Sequence, residues 1–144
     1  METTVSLGIL ETENDSEWGA PYFVQPKLKT NRVKFLSRFR NLNRQIKHKP
    51  YPMPKISTIL LKLKGFKYSN SLDSNMGYYH IQLSKDISNL CNIILPWVKY
   101  WYKRLPMGVS SSLDIFQYKM NNLFQEFSFI CAYIDDLLII INCD

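Results

Sequence analysis

Two aspartates stand side by side near the end of this 144-residue sequence, Asp135 and Asp136, between two apolar runs at 127–134 and 137–141. Runs this rich in β-branched and aromatic residues read as strands that must be buried, and the two acids between them read as the turn of a hairpin. A two-residue turn wants positive φ and is usually Asn-Gly or Asp-Gly. Asp-Asp tolerates that geometry but sets two like charges together, which is costly in a half-buried corner unless a cation neutralises them. A solvated turn, where Asp is common, is the other reading of the pair. A third acid, Asp73, closes a further strand-like stretch at 66–73 and precedes the turn-like Ser74-Asn75-Met76-Gly77. If that strand lies beside the hairpin, three carboxylates cluster, and a donor set of oxygen alone suits Mg²⁺. Two such ions roughly 3.5–4 Å apart activate an attacking hydroxyl and hold the leaving oxygen of a phosphoryl transfer.

Other chemistries find less support. His48 and His80 are the only histidines, and their positions suggest no Ser-His-Asp or Cys-His arrangement. There is no glycine-rich phosphate loop of the Walker or dinucleotide type. Cys91, Cys131 and Cys143 are odd in number, far apart and set among apolar residues. They fit neither a disulfide frame nor a zinc site, which points to a reducing, intracellular compartment, cytoplasm or nucleus.

The elements that would position the acids are legible in outline. Residues 21–26 and 33–39 form an expected hairpin, its first strand bounded by prolines like an edge strand, its turn at 27–32 carrying Lys27, Lys29 and Arg32. Three prolines in 50–54 exclude regular structure there. Ile56, Ile59, Leu60 and Leu63 recur on one helical face that Gly65 closes, a pattern of core packing. Short strands are expected at 79–83, 91–95 and 100–103. Ser110 to Ser112 with Asp114 should cap a helix that buries Ile115, Phe116, Met120 and Leu123. Residues 1–17 read as a polar lead-in.

Composition is that of a globular chain, 46% hydrophobic and 21% charged. The longest apolar run is far short of the roughly 20 residues of a membrane-spanning helix, and the N-terminus lacks the pattern of a secretory signal. The net charge of +6 is unevenly laid out: residues 1–72 carry +8, residues 73–144 carry −2, and no carboxylate occurs between Trp18 and Leu72. Such a basic arm suits a polyanion; a solvated basic face is the alternative.

With these residues in view, the sequence resembles the reverse transcriptases of long-terminal-repeat retrotransposons and retroviruses, the Gypsy-like clade above all. The resemblance rests on Tyr133-Ile134-Asp135-Asp136, on Trp18-Gly19-Ala20-Pro21-Tyr22-Phe23, on Phe39-Arg40-Asn41-Leu42-Asn43 and on Tyr51-Pro52-Met53-Pro54. Ser71-Leu72-Asp73 with Gly77-Tyr78-Tyr79-His80, Leu105-Pro106-Met107-Gly108 and Ile115-Phe116-Gln117 complete the order. It spans about 18–142.

The resemblance implies an α+β fold of reverse transcriptase fingers (about 18–47 and 82–111) and a partial palm (about 48–81 and 112–144), with an antiparallel palm sheet, helices on one face and no thumb. It implies RNA-directed DNA synthesis as part of a Pol polyprotein, on an RNA or DNA template-primer with deoxynucleotide triphosphates and no membrane. Asp73 and Asp135 would be the main ligands of two Mg²⁺ ions, or Mn²⁺ in their place, with Asp136 the third acid of the triad. Tyr78 would wall the sugar pocket against a 2′-hydroxyl. Lys34, Lys27 and Met107 would border the nucleotide, with Lys29 an alternative to Lys27. Arg40, Gln117 and Tyr133 would contact nucleic acid, Arg40 and Gln117 with structural support as the other role. Arg38 and Leu113 depart from the family's usual Asp and Pro. Two rival readings stand beside this one: a catalytically inactive retroelement remnant, and a basic nucleic-acid-binding module whose aromatics stack bases. The module accounts for the charge and the 14% aromatic content, but not for adjacent acids at a hairpin tip.

Overall fold

The structure, a computed structural model, describes residues 2–12, 16–26 and 33–141. In chain order they form α1 (Glu2–Ser6), β1 (Leu10–Thr12), β2 (Tyr22–Pro26), β3 (Val33–Ser37), α2 (Arg40–Gln45), α3 (Ile56–Lys62), β4 (Tyr68–Asp73), a 3₁₀ turn (Gly77–His80), α4 (Lys85–Ser88), β5 (Asn92–Ile94), β6 (Lys99–Tyr102), α5 (Ser112–Phe124), β7 (Ile130–Tyr133) and β8 (Asp136–Ile141). The fold is α+β, and its sheets are antiparallel. Contacts divide the chain into two units, 1–48 with 78–112, and 49–77 with 113–144.

In the first unit β1, β6 and β5 form one sheet and β2 and β3 a hairpin. The core gathers Ile9, Leu10, Ala20, Phe39, Leu42, Cys91, Ile93 and Tyr102. Residues 1–17 are therefore more than a polar lead-in: β1 pairs with β6 through Leu10 and Tyr102, and Ile9 and Leu10 are both buried. Three β1 residues are too few for a period to show, and of them only Leu10 is buried. Gly19 is required by close approach, since a Cβ there would lie 2.5 Å from Ile94 Cγ1. Tyr102 is buried with its hydroxyl 2.8 Å from Ser37 Oγ, and burial pushes its pKa far up. Residues 79–83, expected as a strand, instead begin inside the 3₁₀ turn, which holds Tyr79 and His80, and make one isolated bridge, Gln82 to Arg104. Their apolar alternation reports packing of Tyr79 and Leu83 against the core, not a ladder.

In the second unit β8 lies between β4 and β7. Phe116 and Met120 of α5 are buried, as are Cys131, Ala132 and Ile140 of the sheet. Two expectations fail here. Ile115 and Leu123 are 38% and 65% exposed, so the buried face of α5 is narrower than its apolar spacing suggested. On α3, Ile56 and Leu60 are 56% and 57% exposed and no residue is fully buried, so periodicity made the helix without packing it into a core. Among the described residues no helix is long and apolar enough to cross a membrane.

Candidate active site

The register of β4 against β8 builds the site. It runs from Tyr68 opposite Ile141 to Asp73 opposite Asp136. Across the other edge of β8, Tyr133 pairs with Asp136. Tyr133, Asp136 and Asp73 therefore form one row across the end of the sheet, and direct cross-strand partners share a face with Cβ atoms about 4.5–5.5 Å apart. One step beyond the row, the Ser74 N–H donates to the Asp135 carbonyl at 2.8 Å, which ties the hairpin tip to the end of β4.

The turn itself lies one residue earlier than expected. Its two central residues are Ile134 and Asp135, because Asp136 is the first residue of β8 and pairs within the ladder. Ile134 takes φ 54. A β-branched side chain in the left-handed region is uncommon and strained, so the surroundings must hold it. Gln117 does so. Its side chain is 0% exposed; Oε1 accepts the Ile134 N–H at 2.7 Å, and Nε2 donates to the Ala132 carbonyl at 3.0 Å. One buried amide thus satisfies the strand end and the turn. This corrects the expectation that Gln117 touches nucleic acid: a fully enclosed side chain reaches no external partner, and its matched position reflects support of the hairpin. The approach of α5 to β7 that exposes this role leaves no mark in the spacing of residues.

Asp73 and Asp136 are exposed and Asp135 is partly buried. Among the described residues neither Asp73 nor Asp136 forms a salt bridge. Two opposed carboxylates without a Lys or Arg partner suit a hard cation, and every donor is oxygen. Among the described residues no three acidic, His or Cys side chains already stand close enough to hold an ion. The fit is one of donor chemistry and backbone placement.

The remaining candidates fall elsewhere. Tyr78, Met107 and Arg40 belong to the first unit, where Tyr78 is buried, Met107 is partly buried and Arg40 is exposed. Lys34 lies in β3, opposite Gln25. Lys27 and Lys29 lie outside the described residues. Sequence reasoning missed a cavity of about 440 Å³ in the first unit, lined by Arg38, Arg40 and Arg44 with Phe23, Ser37, Phe39, Asn43 and Gly108. Asn43 shapes its rim: Nδ2 donates to the Gly108 carbonyl at 2.8 Å and Oδ1 accepts the Ser110 N–H at 2.8 Å. Gly108 has φ 102, and a Cβ there would lie 2.9 Å from the Ser37 carbonyl. The signal that could have found this site is the run of arginines at 38, 40 and 44 without a carboxylate between them.

Known proteins bear on this arrangement. The family described as reverse transcriptase (RNA-dependent DNA polymerase) matches residues 25–143. The enzymatic polyprotein of Cestrum yellow leaf curling virus is 31% identical over 143 residues, 96% of this chain and 22% of that protein. The retrovirus-related Pol polyprotein from transposon gypsy of Drosophila melanogaster is 34% identical over 103 residues, 70% of this chain and 10% of that protein. The chain thus spans about a fifth or less of the length of these relatives. Among solved structures, the foamy viral protease-reverse transcriptase in complex with double-stranded DNA superposes with a TM-score of 0.88 at 20% identity, covering 97% of this chain and 24% of that one. The same viral protein in complex with an RNA/DNA hybrid gives 0.87 at 20% identity, covering 99% and 19%. The α+β architecture is that of reverse transcriptase fingers and partial palm. With a family match over most of its length and the acidic row at the end of its sheet, the chain belongs to the reverse transcriptase (RNA-dependent DNA polymerase) family.

Proposed function

We propose that this chain is the catalytic part of an RNA-directed DNA polymerase within a retroelement Pol polyprotein, and that it adds deoxynucleotides to a primer 3′-hydroxyl. The observation that carries the reading is the row formed by Asp73 and Asp136, with Asp135 tethered beside it at the hairpin tip. These three carboxylates would hold two Mg²⁺ ions, which when bound supply the charge that activates the hydroxyl and stabilises the leaving pyrophosphate. The protein's own part is placement. The β4–β8 register sets two acids on one face, and Gln117 holds the turn that presents the third.

In this reading the unit 1–48 with 78–112 is the fingers and the unit 49–77 with 113–144 is the palm. Tyr78 would exclude a 2′-hydroxyl, and Met107 and Lys34, with Lys27 beyond the described residues, would border the triphosphate. Template phosphates would take the cavity of Arg38, Arg40 and Arg44, whose guanidinium groups offer planar forks to phosphate oxygens. Arg38 adds a cation there in place of the family's usual Asp. Tyr133, beside Asp136 in the row, would face the primer end. Double-stranded DNA or an RNA/DNA hybrid is the template-primer that the fold's neighbours suggest.

The test is primer extension on an RNA template with Mg²⁺, comparing the unaltered chain with the double variant Asp135→Ala, Asp136→Ala. Extension by the first and none by the second is expected. Equal signal from both would overturn the polymerase reading. RNA binding that needs no Mg²⁺, without extension, would favour a nucleic-acid-binding module.

A further inference from the structure

Gln117 holds the Ile134 turn, but a glutamine side chain has three torsions of its own and needs holding in turn. Its orientation is dictated by the backbone. If the amide were flipped, an NH₂ would face the Ile134 N–H and an oxygen would face the Ala132 carbonyl, so only one assignment satisfies both. That assignment leaves one Nε2 hydrogen, which is donated to Asn121 Oδ1 at 2.8 Å. Asn121 lies one helical turn on along α5, where i and i+4 side chains meet. With Oδ1 so engaged, Asn121 presents Nδ2, which donates to the Tyr51 hydroxyl at 3.0 Å. Tyr51 is anchored at its other end: its N–H donates to Asp114 Oδ1 at 2.8 Å, and its ring packs edge-on against Tyr118 with centroids 5.6 Å apart. All of these residues belong to one unit.

We propose that Tyr51 and Asn121 are positioning residues for the Asp135–Asp136 hairpin, acting on it through Gln117. The inference rests on the polymerase reading for its effect on rate, and on the hydrogen-bond chain alone for its effect on the turn. Each link fixes the next. The Tyr51 hydroxyl orients the Asn121 amide, Asn121 orients the Gln117 amide, and Gln117 holds Ile134 at positive φ. Asp135 follows Ile134 directly, so loss of the first link loosens the carboxylates without removing any group near them.

The experiment uses Tyr51→Phe, which deletes one oxygen and keeps the ring, and Asn121→Leu, which breaks both links. Asn121→Asp serves as the conservative rescue, because a carboxylate still accepts from Gln117 and the Tyr51 O–H can turn to donate. Three quantities are read: native-state hydrogen exchange at the Ile134 amide, Mn²⁺ binding by paramagnetic broadening, and the split of kcat against KM in primer extension. Losing one link should speed Ile134 exchange about 3–10-fold, as a net hydrogen bond allows. Mn²⁺ binding should weaken and kcat should fall over a similar range with nucleotide KM unchanged, while Asn121→Asp restores all three. Ile134 exchange that is unmoved by both breaking variants, or that rises only in step with every core amide, would overturn the proposal. Absence of extension by the unaltered chain counts against the polymerase reading alone, and Ile134 exchange still decides the relay.

Discussion

Asp73 and Asp136 are direct partners at the end of the β4–β8 ladder, so two carboxylates occupy one rung and one face of the sheet. Like charges directly opposite in a sheet are destabilising, by an amount in the range of about 0.2–1 kcal/mol. The protein therefore carries a local cost at the place where its chemistry is expected.

Replacing either acid by its amide separates stability from activity. Asp136→Asn or Asp73→Asn, in metal-free buffer, should raise unfolding stability by about 0.2–1 kcal/mol. The same variants should lower primer extension at least about 100-fold, since a charge-stabilising group is lost. Denaturant titration and extension assays check the two halves. A less stable amide form would sink the repulsion, and undiminished extension would sink the ligand assignment.

Ile134 gives a second, independent handle on the hairpin. An L residue in the left-handed region costs roughly 1–2 kcal/mol, and Asn bears that conformation better than a β-branched residue. Ile134→Asn keeps the N–H that Gln117 accepts. Urea unfolding should show a gain of about 1 kcal/mol. A loss of that size would mean that the Ile134 side chain contributes more by packing than its backbone costs.

The arginine-lined cavity makes a quantitative statement about salt. Each phosphate contact on a single strand adds about 0.7 to the slope of log K against log salt. Arg38→Ala, Arg40→Ala and Arg44→Ala should each flatten that slope by about this amount, equally across sequences, when template binding is measured by fluorescence anisotropy. Unchanged slopes in all three would place the template elsewhere.

Buried Cys91 and Tyr102 predict alkaline lability. Burial pushes the Cys91 thiol from 9.0 to about 11, and burial pushes Tyr102 and Tyr79 upward as well. A raised folded-state pKa means that the folded protein holds its proton longer than the unfolded chain. The contribution is therefore complete below about pH 9 and is lost as pH rises towards 11. Urea midpoints should fall across that window, and Cys91→Val should remove part of the fall. A flat profile from pH 8 to 11 would contradict the burial of these groups.

Much of this was legible beforehand, for physical reasons tied to particular residues. Apolar runs bounded by turn residues located β2, β3, β7 and β8, because β-branched and aromatic residues suit a pleated strand. The spacing of Ile56 to Leu63 located α3, because 3.6-residue periodicity is local. The three aspartates stood out because acids beside apolar strands conflict with burial unless something uses them.

Tertiary structure decided what depends on partners. Whether Asp135 or Asp136 sits in the turn is a matter of register, and pairing with Tyr133 and Asp73 settles it; a slip of one residue would move Asp136 to the other face. That Gln117 serves the hairpin from within depends on how α5 meets β7, which no local pattern encodes. The exposure of α3 depends on what surrounds it, since periodicity reports which residues share a face and not what covers it. The sequence by itself determined the acids, their strands and the basic arm before them. Only the folded chain decided which two carboxylates face each other, because that choice is made by hydrogen bonds between residues more than sixty positions apart.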